Sequence, residues 1–248
     1  MKKDSISHYQ NLVLCALSNK INSFCLGGGT ALSLFYFHHR ISFDLDFFTQ
    51  SFSPKIIERT VSFLRKYLES EVSHGKRKLK ITLAGKSLNE KRAKVMVYYL
   101  YFSSRNFLKI DFIEDVFSLI KRPRIVEGIK IFSLEDIYLR KIYTVTGTVY
   151  VSDSTGQQRF VGGREDAKDL FDIYFLSHTF MPLSRFVKRY GDYTIKEGLI
   201  AWFHSYDRLQ MIDGILNLDT DKSIDCRSIE SHISKEIDKI IEEEIKEI

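Results

Sequence analysis

Residues 24–48 constrain this chain more than any other stretch. A short apolar run, Phe24-Cys25-Leu26, leads into Gly27-Gly28-Gly29-Thr30, a helical-looking run follows from Ala31 to about His38, and Ser42-Phe43-Asp44-Leu45-Asp46-Phe47-Phe48 closes the segment. Side chains alternate faces along an extended strand, so Asp44 and Asp46 project together while Phe43, Leu45 and Phe47 point the other way, into a core. Paired carboxylates are hard oxygen donors suited to Mg²⁺ or Mn²⁺, and a nucleotide's phosphates can complete the shell. The glycines clear side chains from the path of an approaching anion. Thr30 is positioned to cap the helix that begins at Ala31, whose first N–H groups would face a triphosphate. Alone, the glycines fit a ligand-free strand-to-helix turn equally well; the carboxylate pair downstream favours the phosphate cradle.

At 248 residues the chain is long enough for two cores, and its composition is that of a globular protein. The formal net charge of +5 permits an anionic partner without demanding one. No apolar run approaches the roughly 20 residues that span a bilayer. The start, Met1-Lys2-Lys3-Asp4-Ser5, is charged, and the brief apolar patch Leu12 to Leu17 carries no cleavage site, so a cytoplasmic protein without membrane partners is expected. Cys15, Cys25 and Cys226 are scattered and odd in number, against a disulfide framework or a zinc site.

Apolar spacing predicts a helix over about Ser5 to Ser23 and another from Ser53-Pro54, with Ile56, Ile57, Val61, Phe63, Leu64 and Leu68 on its buried face. Leu79 to Leu83 and Val95 to Phe102 read as strands around a turn at Gly85 to Asn89. Leu108-Lys109-Ile110-Asp111-Phe112-Ile113 is a further strand with a carboxylate inside it; Asp115 competes with Asp111 for any role there. Lys76, Arg77, Lys78, Lys80, Lys86, Lys91, Arg92 and Lys94 form a basic run that suits either a nucleic-acid backbone or solvated strand faces. Ser133 to Asp136 has a capping-box pattern, which sets a boundary: an α/β domain over 1–132 and a helical bundle over 133–248, with a long loop or hairpin at 144–163. A helix starts near Arg164, with Asp169 and Asp172 on one face, and others follow at Leu183 to Tyr190, Ile195 to Leu209 and Ile229 to Ile248. Ile233, Ile237, Ile240, Ile241, Ile245 and Ile248 make one stripe on the last. The fold class is α+β, a mixed-sheet domain followed by a helical one.

Gly29-Thr30 followed by Asp44-Leu45-Asp46 resembles the signature of the DNA polymerase beta-like nucleotidyltransferase superfamily, a Gly-Ser turn and then Asp-x-Asp. Together with Gly28, Ala31-Leu32, His39-Arg40, Ser42 and Phe47-Phe48, it is similar to the AbiEii/AbiGii toxin-type nucleotidyltransferases. That resemblance implies Asp44, Asp46 and Asp111 as catalytic metal ligands and Gly28, Gly29, Thr30, Arg40 and Ser42 as nucleotide contacts. It covers residues 24 to 176 and extends to Lys141 and to Lys168-Asp169-Leu170-Phe171-Asp172, which match a helix Lys and an Arg-x-Lys-Asp-x-x-Asp motif. Lys141 would contact phosphate, Asp169 would orient Lys141 or assist the acceptor, and Asp172 would serve the nucleotide subsite; helix-pairing ion pairs are the competing explanation. The motif's Arg falls on Asp166, and Arg164 substitutes only if the loop brings it round.

The implied activity is a nucleotidyltransferase using Mg²⁺ or Mn²⁺ and an NTP, with tRNA or another RNA as acceptor and a cognate antitoxin as partner in a toxin–antitoxin or phage-defence pair. The site would be a cleft between the two domains. A non-catalytic nucleic-acid or partner-binding protein keeping this fold is the alternative. An aspartyl-phosphate hydrolase is disfavoured because Phe48 stands where that chemistry wants Thr or Val.

Overall fold

The computed structural model describes residues 2–72, 79–89, 93–152 and 158–247. The chain divides into two units, Met1–Leu34 with Ile41–Ser133, and Phe35–Arg40 with Leu134–Ile248. Lys76, Arg77, Lys78, Lys91 and Arg92 of the basic run, the loop tip Asp153-Ser154-Thr155-Gly156, and Ile248 of the isoleucine stripe lie outside the described residues.

In the first unit, α1 (Lys2–Leu17) leads to β1 (Cys25–Leu26), and α2 (Gly28–Leu32) continues as a π-helical turn, Ser33–Phe37. Next come β2 (Asp44–Thr49), α3 (Pro54–Val72), β3 (Lys80–Ser87), β4 (Val95–Tyr101), β5 (Phe107–Glu114), β6 (Arg124–Val126) and β7 (Ile129–Ile131). The strands form one mixed sheet in the order β3-β4-β5-β2-β1-β7-β6. β2 runs parallel to β5 and β1 to β7; the remaining pairs are antiparallel.

Alternation sorts this sheet into an apolar and a charged face. Leu45 and Phe47 of β2 and Leu108, Ile110 and Phe112 of β5 are fully buried. Phe112 meets the rings of Phe24, Phe47 and Tyr98 at centroid distances of 5.3, 5.7 and 6.0 Å. α1 and α3 pack on each other, with α1 also touching β5 and α3 touching β3. They bury Val13 and Leu17, and Ile57, Val61, Leu64 and Leu68, at helical spacing.

Several expectations for this unit need correction. Phe43 lies before β2 and is 38% exposed rather than in the core, and Ile56 and Phe63 face out of α3 because they sit off its buried stripe. β3 does not turn at Gly85 but runs through it: Gly85 pairs with Val97, and the register shift between Leu83 and Gly85 leaves Ala84 as the extra residue of a bulge. The β6–β7 hairpin was not anticipated. Its turn, Glu127-Gly128, has φ of 49° and 77°, the two successive left-handed residues that a tight hairpin requires.

The second unit is helical. α4 (Leu134–Thr146) is followed by a hairpin of β8 (Gly147–Ser152) and β9 (Gln158–Gly162). After it come α5 (Ala167–Phe175) with a π-helical turn at Leu176–Phe180, α6 (Leu183–Tyr190), α7 (Tyr193–Ser205), α8 (Arg208–Leu216) and α9 (Cys226–Glu247). Tyr138 and Phe186 pack ring to ring at 4.3 Å, and Phe171, Leu199, Ile233 and Ile237 are buried with them. The helix expected over Ile195 to Leu209 is broken at Tyr206. Asp207 accepts a hydrogen bond from the Gln210 N–H and caps a new helix. The isoleucine stripe is buried at Ile233, Ile237 and Ile240 but turns outward at Ile245, which is 66% exposed. Among the described residues no helix is long and apolar enough to cross a membrane.

Candidate active site

The parallel register of β2 on β5 assembles the carboxylates. Asp46 is the direct neighbour of Asp111, and Asp44 is the neighbour of Lys109. Asp44, Asp46, Lys109 and Asp111 therefore share the charged face, with neighbouring strands ~4.8 Å apart and successive same-face residues ~6.7 Å apart. Asp115 lies past the end of β5, where its N–H bonds the Thr49 carbonyl, away from this set.

The glycine loop folds directly onto the carboxylates. Gly27 is the N-cap of α2 and donates its N–H to the Asp46 carbonyl at 2.9 Å. Gly28 adopts φ +66°, and a Cβ there would stand 2.2 Å from Asp46 Oδ2. Only glycine tolerates both conditions. Thr30 is not the cap but lies one turn inside, fully buried; its hydroxyl bonds the Asp44 carbonyl and lies 2.8 Å from the Ser42 hydroxyl. Gln10 Nε2 donates to the Ser42 carbonyl at 2.8 Å. Thr30 and Ser42 thus brace the start of β2.

Hard carboxylate oxygens on adjacent parallel strands fit a divalent cation by their chemistry, and the bare Cα of Gly28 lets the Asp46 carboxylate pack directly against the loop, where a Cβ would clash with it. Among the described residues no three His, Cys, Asp or Glu side chains converge as a finished cage. What stands among the carboxylates is the Lys109 ammonium, 2.5 Å from Asp111 Oδ2. The sequence reading missed Lys109, although its position two residues before Asp111 fixes it on the same strand face.

The other expected site residues gather in the second unit. Asp172, fully buried on α5, accepts Arg40 Nε and Nη2 at 2.7 and 2.8 Å, Lys141 Nζ at 2.6 Å, and pairs with His39 Nε2 at 2.7 Å. Asp169, one helical turn earlier, accepts Lys141 Nζ at 2.6 Å and Arg164 Nε and Nη2 at 2.7 and 2.6 Å. Burial opposes the charge on Asp172, but Arg40, Lys141 and the hydrogen bonds of His39 and Arg40 overcome it and hold the carboxyl well below its usual range. Burial likewise opposes the Lys141 ammonium, and Asp172 and Asp169 more than offset it, raising its pKa.

This arrangement explains the displaced arginine. Asp166 is the N-cap of α5, its side chain accepting the Lys168 N–H at 3.1 Å, so the position serves helix initiation. The hairpin returns at Gly163, where a Cβ would fall 2.0 Å from the Val145 carbonyl oxygen, and the Arg164 N–H bonds the Thr144 carbonyl at 2.8 Å. That close return delivers the Arg164 guanidinium to Asp169. Arg164 also lies 4.0 Å from the Asp166 carboxylate, and its side chain is 51% exposed.

A family model described as "Nucleotidyl transferase AbiEii toxin, Type IV TA system" matches residues 12–248. The chain belongs to this AbiEii family. It is thereby a member of a family of nucleotidyl transferase toxins of toxin–antitoxin systems. No curated protein matches the chain. The AbiEii chain is similar in fold to the crystal structure of a "putative nucleotidyltransferase from H. pylori", with a TM-score of 0.60 at 16% identity over 99% of this chain and 98% of that one. It is also similar to JHP933 from Helicobacter pylori, with a TM-score of 0.57 at 17% identity over 99% and 94% of the two chains.

Two substitutions probe these clusters. Asp172→Asn should destabilise the protein by about 3–5 kcal/mol at pH 7 in denaturant unfolding, because it strands buried cations. The folded-state pKa of Asp172 is depressed, so its contribution is fully present above the unfolded value of about 3.9 and is lost as pH falls through the folded value. The variant's stability should therefore fall less steeply than wild type on acidification below about pH 4. Gly28→Ala should leave the rest of the sheet intact by circular dichroism while displacing Asp46, cutting turnover on the order of a hundredfold.

Proposed function

We propose that this AbiEii-family protein transfers a nucleoside monophosphate from an NTP to an acceptor hydroxyl and releases pyrophosphate. The observation that carries this reading is the β2–β5 register, which sets Asp46 beside Asp111 on one face of the sheet, with the Gly28 turn packed directly against the Asp46 carboxylate. Asp44, Asp46 and Asp111 would hold Mg²⁺ or Mn²⁺, which when bound lowers the cost of deprotonating the acceptor hydroxyl and neutralises charge on the leaving pyrophosphate. Asp111 would orient the acceptor oxygen. Gly28 and Gly29 keep side chains out of the path of the phosphates. Thr30 and Ser42 hold the Asp44 backbone in position.

In the second unit, Asp169 and Asp172 keep Lys141 and Arg40 protonated and fixed in orientation. The half-exposed Arg164 guanidinium is the group of this cluster that we assign to an anionic ligand. Arg164 on Asp169 also supports catalysis over the non-catalytic alternative, since the departure at Asp166 costs the cluster no cation. The acceptor we propose is an RNA, with tRNA as the first candidate. Lys80 and Lys86 of the basic run are exposed on β3, whereas Lys94 is tied to Glu114 at 3.2 Å. A cognate antitoxin would restrain the activity.

Incubating the purified protein with Mg²⁺, each labelled NTP in turn and total RNA should yield pyrophosphate and labelled RNA in equal amounts. Asp46→Asn and Asp111→Asn should each reduce both below about a thousandth of wild type with the fold intact. Release of inorganic phosphate without label transfer, or full activity in both variants, would overturn the reading.

A further inference from the structure

The carboxylate face carries a fourth charge that the proposed reaction leaves without a role. Lys109 lies in register with Asp44, and its Nζ sits 2.5 Å from Asp111 Oδ2. Its side chain is about one-third exposed. The ammonium therefore stands on the same sheet face as three carboxylates, in direct contact with one of them.

A divalent cation held by Asp46 and Asp111 competes for an oxygen that Lys109 already occupies. Two cations a few ångströms apart repel strongly where water is scarce. We infer that Lys109 is the resident counter-cation of the carboxylate site: it neutralises Asp111 in the nucleotide-free protein and must release it before a divalent cation can bind there. Its flexible four-carbon stem allows the ammonium to swing away, and an incoming triphosphate offers it a new anionic partner. Metal loading of the free protein is consequently weak, and the cation enters together with the nucleotide. This inference rests on the proposed metal-dependent reading of the same site.

The test is Mn²⁺ binding to nucleotide-free protein, measured by calorimetry and by electron paramagnetic resonance on wild type, Lys109→Met, Lys109→Gln, Lys109→Arg and Asp111→Asn, each checked for fold by circular dichroism. Removing the ammonium should tighten Mn²⁺ binding about tenfold in the Met and Gln variants, a modest share of the repulsion expected at this separation. The Arg variant should bind as weakly as wild type, and Asp111→Asn should lose the site. Unchanged or weaker binding in both the Met and Gln variants, with Asp111→Asn still losing the site, would overturn the role of Lys109 alone. Binding that Asp111→Asn leaves untouched would overturn the metal-dependent reading itself, and the inference with it.

Discussion

The parallel pairing of β2 with β5 is the constraint on which the first unit depends. Because strand side chains alternate, a single register fixes two layers: Leu45, Phe47, Ile110 and Phe112 in the core, and Asp44, Asp46, Lys109 and Asp111 on the opposite face. A slip of one residue would bury the charges and expose the phenylalanines, so the hydrophobic energy that builds the core also aligns the carboxylates. Phe112, in contact with three aromatic rings, is the hub of that core. Parallel pairing also requires a long crossover, here through α3, β3 and β4, so the two carboxylate strands are far apart in sequence and adjacent in space.

The second unit is arranged around a different kind of constraint. Its buried Arg40 and Lys141 are both paired to Asp172, so that removing this carboxylate strands buried cations. Part of that cluster comes from Phe35–Arg40, a segment that follows α2 in sequence yet belongs to the second unit. The Thr220 hydroxyl bonds the His39 carbonyl at 2.6 Å, holding the segment from the C-terminal side. A family signature that looks continuous in sequence, from the glycines through His39-Arg40 to the Asp pair, is therefore shared between two structural units.

Much of this was legible because the signals are periodic or chemically specific. The Asp44/Asp46 alternation, the apolar runs of β4 and β5, and the paired carboxylates of α5 each follow from a spacing that only one local structure satisfies. What was not legible depends on tertiary neighbours. Gly85 reads as a turn until β4 pairs across it, with Val97 opposite Gly85 and the bulge taken up at Ala84. Thr30 reads as a cap because nothing in sequence says that the Asp44 carbonyl lies above its hydroxyl. Arg164 lies two residues from the expected motif position, and only the pinched return at Gly163 brings it to Asp169. The β6–β7 hairpin was readable from Glu127-Gly128 between β-branched residues, and Asp207 was a readable cap.

A metal map tests the central claim most directly. Crystals grown with Mn²⁺ and a non-hydrolysable NTP analogue should show an anomalous peak between Asp46 and Asp111, within roughly 2.0–2.2 Å of oxygens from both. Manganese bound elsewhere with that face still held by Lys109, or an analogue whose phosphates lie away from Gly28, would contradict the account.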